Sequence, residues 1–185
     1  MYYIAKFIFK MMGWRIEGDY PKQDKYIIAV VPHTSNMDFV LGRLIATIMR
    51  VNIYFFIKRE LFFFPLGALL KWLKAIPVNR KAPKSLIDTV VNKINKTENI
   101  VLVITPEGTR SKAKKWKKGF YYIARKAKIP ILPAAVDYST KTAVFGDLLY
   151  PSGDERKDFK QMIDFYKSVN PTPRYPERFE YPEIN

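Results

Sequence analysis

Cysteine is absent from this chain of 185 residues, and histidine occurs once, at His33. No disulfide framework, no thiolate nucleophile and no cysteine-based metal site can therefore be built. A lone histidine also rules against a His-rich zinc site, so no metal is expected. No run reaches the ~20 apolar residues that a membrane-spanning helix needs. A nucleophile elbow of the form G-x-S-x-G is missing, and so is the phosphate loop G-x-x-x-x-G-K-[ST]. The N-terminus lacks the basic start and small-residue cleavage site of a signal peptide. Acids are scarce too: 17 Asp+Glu stand against 32 Lys+Arg, a net charge of +15.

That surplus suits an anionic partner, whether nucleic acid, an anionic lipid surface or a phosphorylated substrate. It is local. From Thr105 to Lys128 nine basic residues face one acid, Glu107, whereas from Pro151 to Asn185 six basic residues face seven acids. With 48% hydrophobic and 26% charged residues, the composition is that of an ordered globular chain, long enough for one well-buried core. We read residues 1–185 as a single domain, with an apolar segment at 1–14 and a proline-rich surface tail at 170–185. In the first segment, "MYYIAKFIFKMMGW", Lys6 and Lys10 lie one helical turn apart among aromatic and aliphatic residues. Such a helix fits the interface of a bilayer; the plainer alternative is a terminal helix packed on the core.

Apolar runs rich in β-branched residues mark strands at "YIIAVV" (26–31), "NIYFFI" (52–57), "NIVLVITP" (99–106) and "IPILPAAVDY" (129–138), with another at "TAVFGDLLY" (142–150). Helical patterns occupy "FVLGRLIATIMR", "SLIDTVVNKINK" and "FYYIARKAK". A late helix carries Phe159, Met162, Ile163 and Tyr166 on one face. "ELFFFPLGALLKWLKAIPVNR" is very apolar but interrupted by Pro65 and Gly67, so a broken helix or a lipid-facing surface are both open readings. Pro130 and Pro133 argue that their strand begins at an edge or carries a bulge. Strands alternating with helices predict an α/β fold with a largely parallel or mixed sheet flanked by helices. Ligand sites in such sheets gather at the carboxyl ends of strands. Two polar motifs, "HTSNMD" and "TPEGTRS", each follow a strand and so share one rim.

His33 and Asp38 are five residues apart, about 500° on a regular helix, and would not share a helical face. They can meet if His33 sits in the loop leaving the strand and Asp38 lies in the first turn of the next helix. Thr34, Ser35 or Asn36 would cap that helix. Asp38 would then accept one ring N–H of His33, leaving the other nitrogen free as a general base. The alternative is a capped turn whose histidine merely bonds to backbone. Without an enzyme nucleophile beside it, such a base would deprotonate a substrate hydroxyl for direct attack on a carbonyl or phosphoryl centre. In "TPEGTRS", Gly108 lets the backbone approach a ligand, and Arg110 offers a planar fork for phosphate. Glu107 would orient Arg110 or a substrate hydroxyl. The plain reading of this stretch is a solvated basic loop.

Taken together, His33 with Asp38, Arg80 ending "AIPVNR", Glu107-Gly108-Thr109-Arg110-Ser111 and the Pro130/Pro133 strand resemble, in order, the four motif blocks of the glycerolipid acyltransferase family. The resemblance covers about Tyr26 to Tyr138, and "KRELFFFPLG" and "WKKGFYYIA" fit its connecting segments. It implies transfer of a fatty acyl group from acyl-CoA or acyl carrier protein to the free hydroxyl of 1-acylglycerol-3-phosphate, with no metal or bound cofactor. His33 would be the general base and Asp38 its orienting acid. Arg80, Glu107, Gly108, Thr109 and Arg110 would shape the acceptor site, with Lys117 a further phosphate contact. The implied setting is peripheral, on the anionic cytoplasmic face of a bacterial inner membrane. Two other readings compete: acylation of another lyso-lipid, such as a lyso-aminolipid, and a non-enzymatic basic module for membrane or nucleic acid. Trp116, Phe120, Tyr121 and Tyr122 do lie among lysines, as stacking platforms can, but "FYYIA" has the spacing of a helix core face. No nucleic acid is therefore expected.

Overall fold

The computed structural model describes residues 1–19, 21–78 and 83–183. Its seven strands are β1 (Arg15–Glu17), β2 (Lys25–Val31), β3 (Ile53–Lys58), β4 (Ala75–Val78), β5 (Ile100–Ile104), β6 (Ile131–Asp137) and β7 (Thr142–Phe145). The α-helices are α1 (Tyr2–Met11), α2 (Met37–Ile48), α3 (Leu66–Trp72), α4 (Pro83–Lys96), α5 (Gly119–Ala127) and α6 (Glu155–Val169). One sheet runs in the order β1-β7-β6-β2-β5-β3-β4. Every neighbouring pair is parallel except β6 with β7, which makes the sheet mixed.

Apart from Lys25 at the start of β2 and Asp137 at the end of β6, the central strands β2, β5 and β6 are apolar because both sheet faces are covered. On β2, Ile27, Ala29 and Val31 point into a core shared with Val90, Val91 and Ile94 of α4, Phe120 and Tyr121 of α5, and Phe159 and Met162 of α6. Their neighbours Tyr26, Ile28 and Val30 point the other way, with Leu41 and Ile45 of α2 and Phe9 of α1. This two-residue alternation fixes the register, since a slip of one residue would swap the two faces. The late helix is as expected: Phe159, Met162, Ile163 and Tyr166 are all buried on α6. Asp154 caps it by accepting the Lys157 N–H at 3.0 Å, and Asn170 ends it in the left-handed region at φ 48°.

Several sequence expectations need correction. The apolar stretch from Glu60 is not one broken helix, though Phe63, Phe64 and Trp72 within it are exposed. It holds a 3₁₀ turn at Arg59–Leu61, the short α3, and then β4, which pairs with β3. β1 and β4 have only three and four residues and went unread. The "TAVFGDLLY" strand is shorter than expected: the ladder ends at Phe145, and only an isolated bridge joins Leu149 to Ile131. β6 lies inside the sheet and not at an edge; Pro133 is within it and Pro130 just precedes it. From Ile131 to Ala134 the strand advances three residues, while its partner takes four from Phe145 to Leu149. The extra residue lies on the facing segment after β7 and not on the proline strand, and Pro133 O accepts the Gly146 N–H at 2.9 Å.

Beyond α6 the described chain has only one 3₁₀ turn, Pro176–Arg178. This tail follows the carboxyl-end rim of the sheet. Thr172 exchanges bonds with the end of β6, accepting the Tyr138 N–H at 2.8 Å and donating its own to Asp137 Oδ1 at 3.0 Å. Tyr175 N–H donates to Thr34 Oγ1 at 3.2 Å, and Glu183 N–H to Lys114 O at 3.0 Å. Among the described residues, no helix is long and apolar enough to cross a membrane.

Candidate active site

β5, β2 and β6 lie side by side in the sheet, with β2 between the other two and parallel to both. Their carboxyl ends therefore deliver three loops to one place: "HTSNMD" from β2, "TPEGTRS" from β5, and Tyr138 just after β6. α2 begins at Met37, so Asp38 is in its first turn as the spacing predicted; Asn36 stands at the N-cap without a side-chain cap bond, and the Ser35 hydroxyl before it accepts the Met37 N–H at 3.1 Å.

His33 Nδ1 lies 3.0 Å from Asp38 Oδ2, and the two five-apart residues meet as required. The same oxygen accepts the N–H groups of Thr34 and Ser35, each at 3.0 Å. The Tyr138 hydroxyl donates to the other oxygen, Oδ1, at 2.5 Å. Burial on its own would raise the Asp38 carboxyl. Hydrogen bonds from His33, Tyr138 and the Ser35 amide, with the His33 charge, outweigh it and hold the group below the usual carboxylate range. An ionised acceptor at Oδ2 requires the proton on Nδ1 of a neutral ring. Nε2 then carries the lone pair, and it makes no hydrogen bond among the described residues.

Glu107 is buried, and its Oε1 accepts the backbone N–H of His33 at 3.1 Å. It thus ties the β5 loop to the β2 loop. The expectation that it orients Arg110 fails, because the Arg110 guanidinium instead donates to Asn36 Oδ1. Glu107 Oε2 is buried with no hydrogen-bond partner among the described residues. Burial, reinforced by the negative charge of Asp38 and opposed by the His33 N–H, pushes the Glu107 carboxyl up to about 8.

Gly108 meets a conformational need of its own loop. Its N–H is occupied, closing a turn onto Thr105 O at 3.0 Å, so it offers no free amide there. Its φ is +66°, and an added Cβ would meet Lys117 Cγ at 3.0 Å. Lys117 is brought there by its own N–H, which donates to Pro106 O at 2.7 Å. Thr109 is exposed, and its hydroxyl accepts the Ser111 N–H at 3.3 Å. Arg110 and Lys117 are both exposed on the β5 loop, Arg110 against Asn36 and Lys117 against Gly108. Arg80 lies outside the described residues. Asn36 and Tyr138 complete the site and were not singled out from sequence. Asn36 had been considered only as a cap, and nothing local to Tyr138 points to Asp38, 100 residues away.

The ensemble pairs an oriented imidazole, with one nitrogen open, to a cationic loop beside it. That arrangement can deprotonate a hydroxyl on an anionic substrate. The chain has no cysteine, and among the described residues no serine side chain hydrogen-bonds the His33 ring.

Known proteins agree in sequence and in shape. The Acyltransferase family model matches residues 14–137. A 1-acyl-sn-glycerol-3-phosphate acyltransferase of Saccharomyces cerevisiae is 30% identical over 142 residues, covering 70% of this chain and 44% of its own. One from Cocos nucifera is 35% identical over 82 residues, covering 41% of this chain and 27% of its own. The chain thus spans less than half the length of these curated relatives. The crystal structure of the 1-acyl-sn-glycerophosphate acyltransferase PlsC from Thermotoga maritima superposes with a TM-score of 0.62 at 18% identity, over 92% of this chain and 78% of the other. That likeness establishes the mixed α/β fold, and the matched family model, spanning β2 to β6 with both polar motifs, places the chain in the acyltransferase family.

Proposed function

We propose that this chain transfers a fatty acyl group from an acyl thioester, acyl-CoA or acyl carrier protein, to the free hydroxyl of 1-acylglycerol-3-phosphate. The observation that carries the reading is the His33–Asp38 pair, with Arg110 of the neighbouring loop reaching Asn36, three residues from His33. In this scheme Nε2 takes the hydroxyl proton as the oxygen attacks the thioester carbonyl. The tetrahedral intermediate collapses by breaking the carbon–sulfur bond, and the imidazolium returns the proton to the leaving thiolate. The products are an ester, phosphatidic acid, and a free thiol. Asp38 steadies the transient imidazolium, a role worth about 10²–10⁴ in rate for an oriented base. Arg110 and Lys117 receive the acceptor phosphate, and the names of the curated relatives support that acceptor.

The acceptor is a lipid, and the outer surface suits its delivery. α1 buries Ala5 and Phe9 but exposes Tyr3, Ile4, Phe7 and Met11, with Lys6 and Lys10 between them. Phe63, Phe64 and Trp72, around α3, are exposed as well. We read these as contacts with an anionic bilayer, approached from one side without spanning it. The test is acyl transfer in mixed micelles, supplying each thioester donor in turn. 1-Acylglycerol-3-phosphate and a lyso-aminolipid would compete as acceptors. Faster transfer to the phosphate acceptor supports the reading; a preference for the uncharged headgroup would redirect it.

A further inference from the structure

Tyr138 is the part of the site that the motif blocks do not explain. It follows β6, is half-buried, and is held from three sides. Its ring packs edge-on against Trp14 at 5.1 Å between centroids, and Trp14 in turn lies 6.3 Å from Phe9 of α1. Its N–H is taken by Thr172 O of the tail at 2.8 Å. Its hydroxyl, the one remaining polar group of the side chain, donates to Asp38 Oδ1 at 2.5 Å.

Asp38 needs that donor for a geometric reason. Three N–H groups converge on Oδ2, all from residues within five positions of it in the chain. Those bonds locate one oxygen but leave the carboxylate plane free to pivot about it. The Tyr138 bond pins the second oxygen and fixes the plane, and with it the line along which His33 Nδ1 is received. Burial, then the hydrogen bond to Asp38 and its charge, raise the phenol well above its ordinary range against the opposing Arg174 guanidinium. The hydroxyl therefore stays protonated and can only act as donor toward this carboxylate.

We propose that Tyr138 is a positioning residue for the transfer reaction: its hydroxyl sets the plane of the Asp38 carboxylate, and through it the tautomer and aim of the His33 ring. The proposal rests on His33 acting as the base. Trp14 and Thr172 serve it by holding the Tyr138 ring in place, so that both ends of the described chain converge behind the dyad.

His33 being the only histidine, ¹⁵N-histidine labelling gives one imidazole to follow, free of assignment ambiguity. In wild type the neutral ring is expected to carry its proton on Nδ1 and leave Nε2 bare. Tyr138→Phe keeps the ring that packs on Trp14 and removes only the hydroxyl. In that variant the two tautomers mix, and kcat falls about tenfold while KM stays within about twofold. An unchanged imidazole spectrum overturns the proposal, whatever happens to the rate, since the hydroxyl would then act elsewhere. A changed spectrum with unchanged kcat overturns its role in the reaction. Should the variant fail to fold, the unaltered protein still decides: the geometry requires a proton–proton cross-peak between a tyrosine hydroxyl and the His33 Nδ1–H, and its absence is contrary evidence. If wild type transfers no acyl group to any lyso-lipid, the reading of function fails. The spectra then still report whether Tyr138 sets the ring.

Discussion

The backbone N–H of His33 donates to the side chain of Glu107, 74 positions further along the chain, at 3.1 Å. This bond joins the loops of two adjacent parallel strands and places the imidazole and the basic loop in one frame. It also buries a carboxyl whose second oxygen finds no partner among the described residues.

Such a carboxyl makes stability depend on pH. Its pKa is raised from 4.5 to about 8 in the folded protein, burial being the main cause. Between those values the folded chain holds a proton that the unfolded chain has released, so stability falls as pH rises through the window. Below pH 4.5 both states are protonated and the group contributes nothing to the slope. Glu107→Gln keeps an oxygen for the His33 N–H but cannot ionise. Its melting temperature, measured against wild type at pH 5, 7 and 9, should gain steadily on wild type, by about 2–4 °C per kcal/mol at this chain size. Parallel curves would show that the Glu107 carboxyl ionises alike in the folded and the unfolded chain.

Asp38→Asn replaces an acceptor of four donors with a group that brings N–H bonds of its own. The imidazole loses its reason to carry the proton on Nδ1, and the buried amides of Thr34 and Ser35 lose a charged acceptor. The expected outcome is a fall in kcat of about 10²–10⁴ with a loss of about 1–3 kcal/mol in stability. Steady-state kinetics with urea unfolding would read both. Full activity in the variant would remove Asp38 from the mechanism.

Gly108→Ala meets two costs together. A φ of +66° is strained for alanine, and the new Cβ falls 3.0 Å from Lys117 Cγ. The lysine stem can swing away, but doing so moves Lys117 from the site. A rise in KM for the phosphate acceptor of about tenfold is expected, with a smaller change in kcat. An unchanged KM would mean that Lys117 takes no part in acceptor binding.

On α1, Ile4 and Phe7 are exposed apolar residues with no packing role. Ile4→Asp with Phe7→Asp should leave the melting temperature within about a degree, since surface changes cost little. It should sharply reduce co-sedimentation with vesicles containing anionic lipid. Equal sedimentation of variant and wild type would exclude α1 as the membrane contact.

How much of this was legible in the sequence follows from the range of each interaction. β2 and β5 could be read because both of their faces are buried, which leaves a continuous apolar run. The first turn of α2 could be read because His33, Ser35 and Asp38 solve a local geometric problem within six residues. β1 and β4 could not, being too short for periodicity to register, and Pro77 stands within β4. The partners of Glu107 and Arg110 were misjudged because both lie in the other loop, 74 residues away. Tyr138 was missed because strand order alone, with β6 beside β2, brings it to Asp38. Arg80, singled out with the others, lies outside the described residues.

The most direct test of the central claim is acyl transfer to radiolabelled 1-acylglycerol-3-phosphate in mixed micelles by wild type and His33→Ala, each shown to be folded by its melting curve. The account predicts phosphatidic acid from wild type and at least about a hundredfold less from the variant. Equal product from both proteins would contradict it, because the account gives the hydroxyl proton to His33 Nε2.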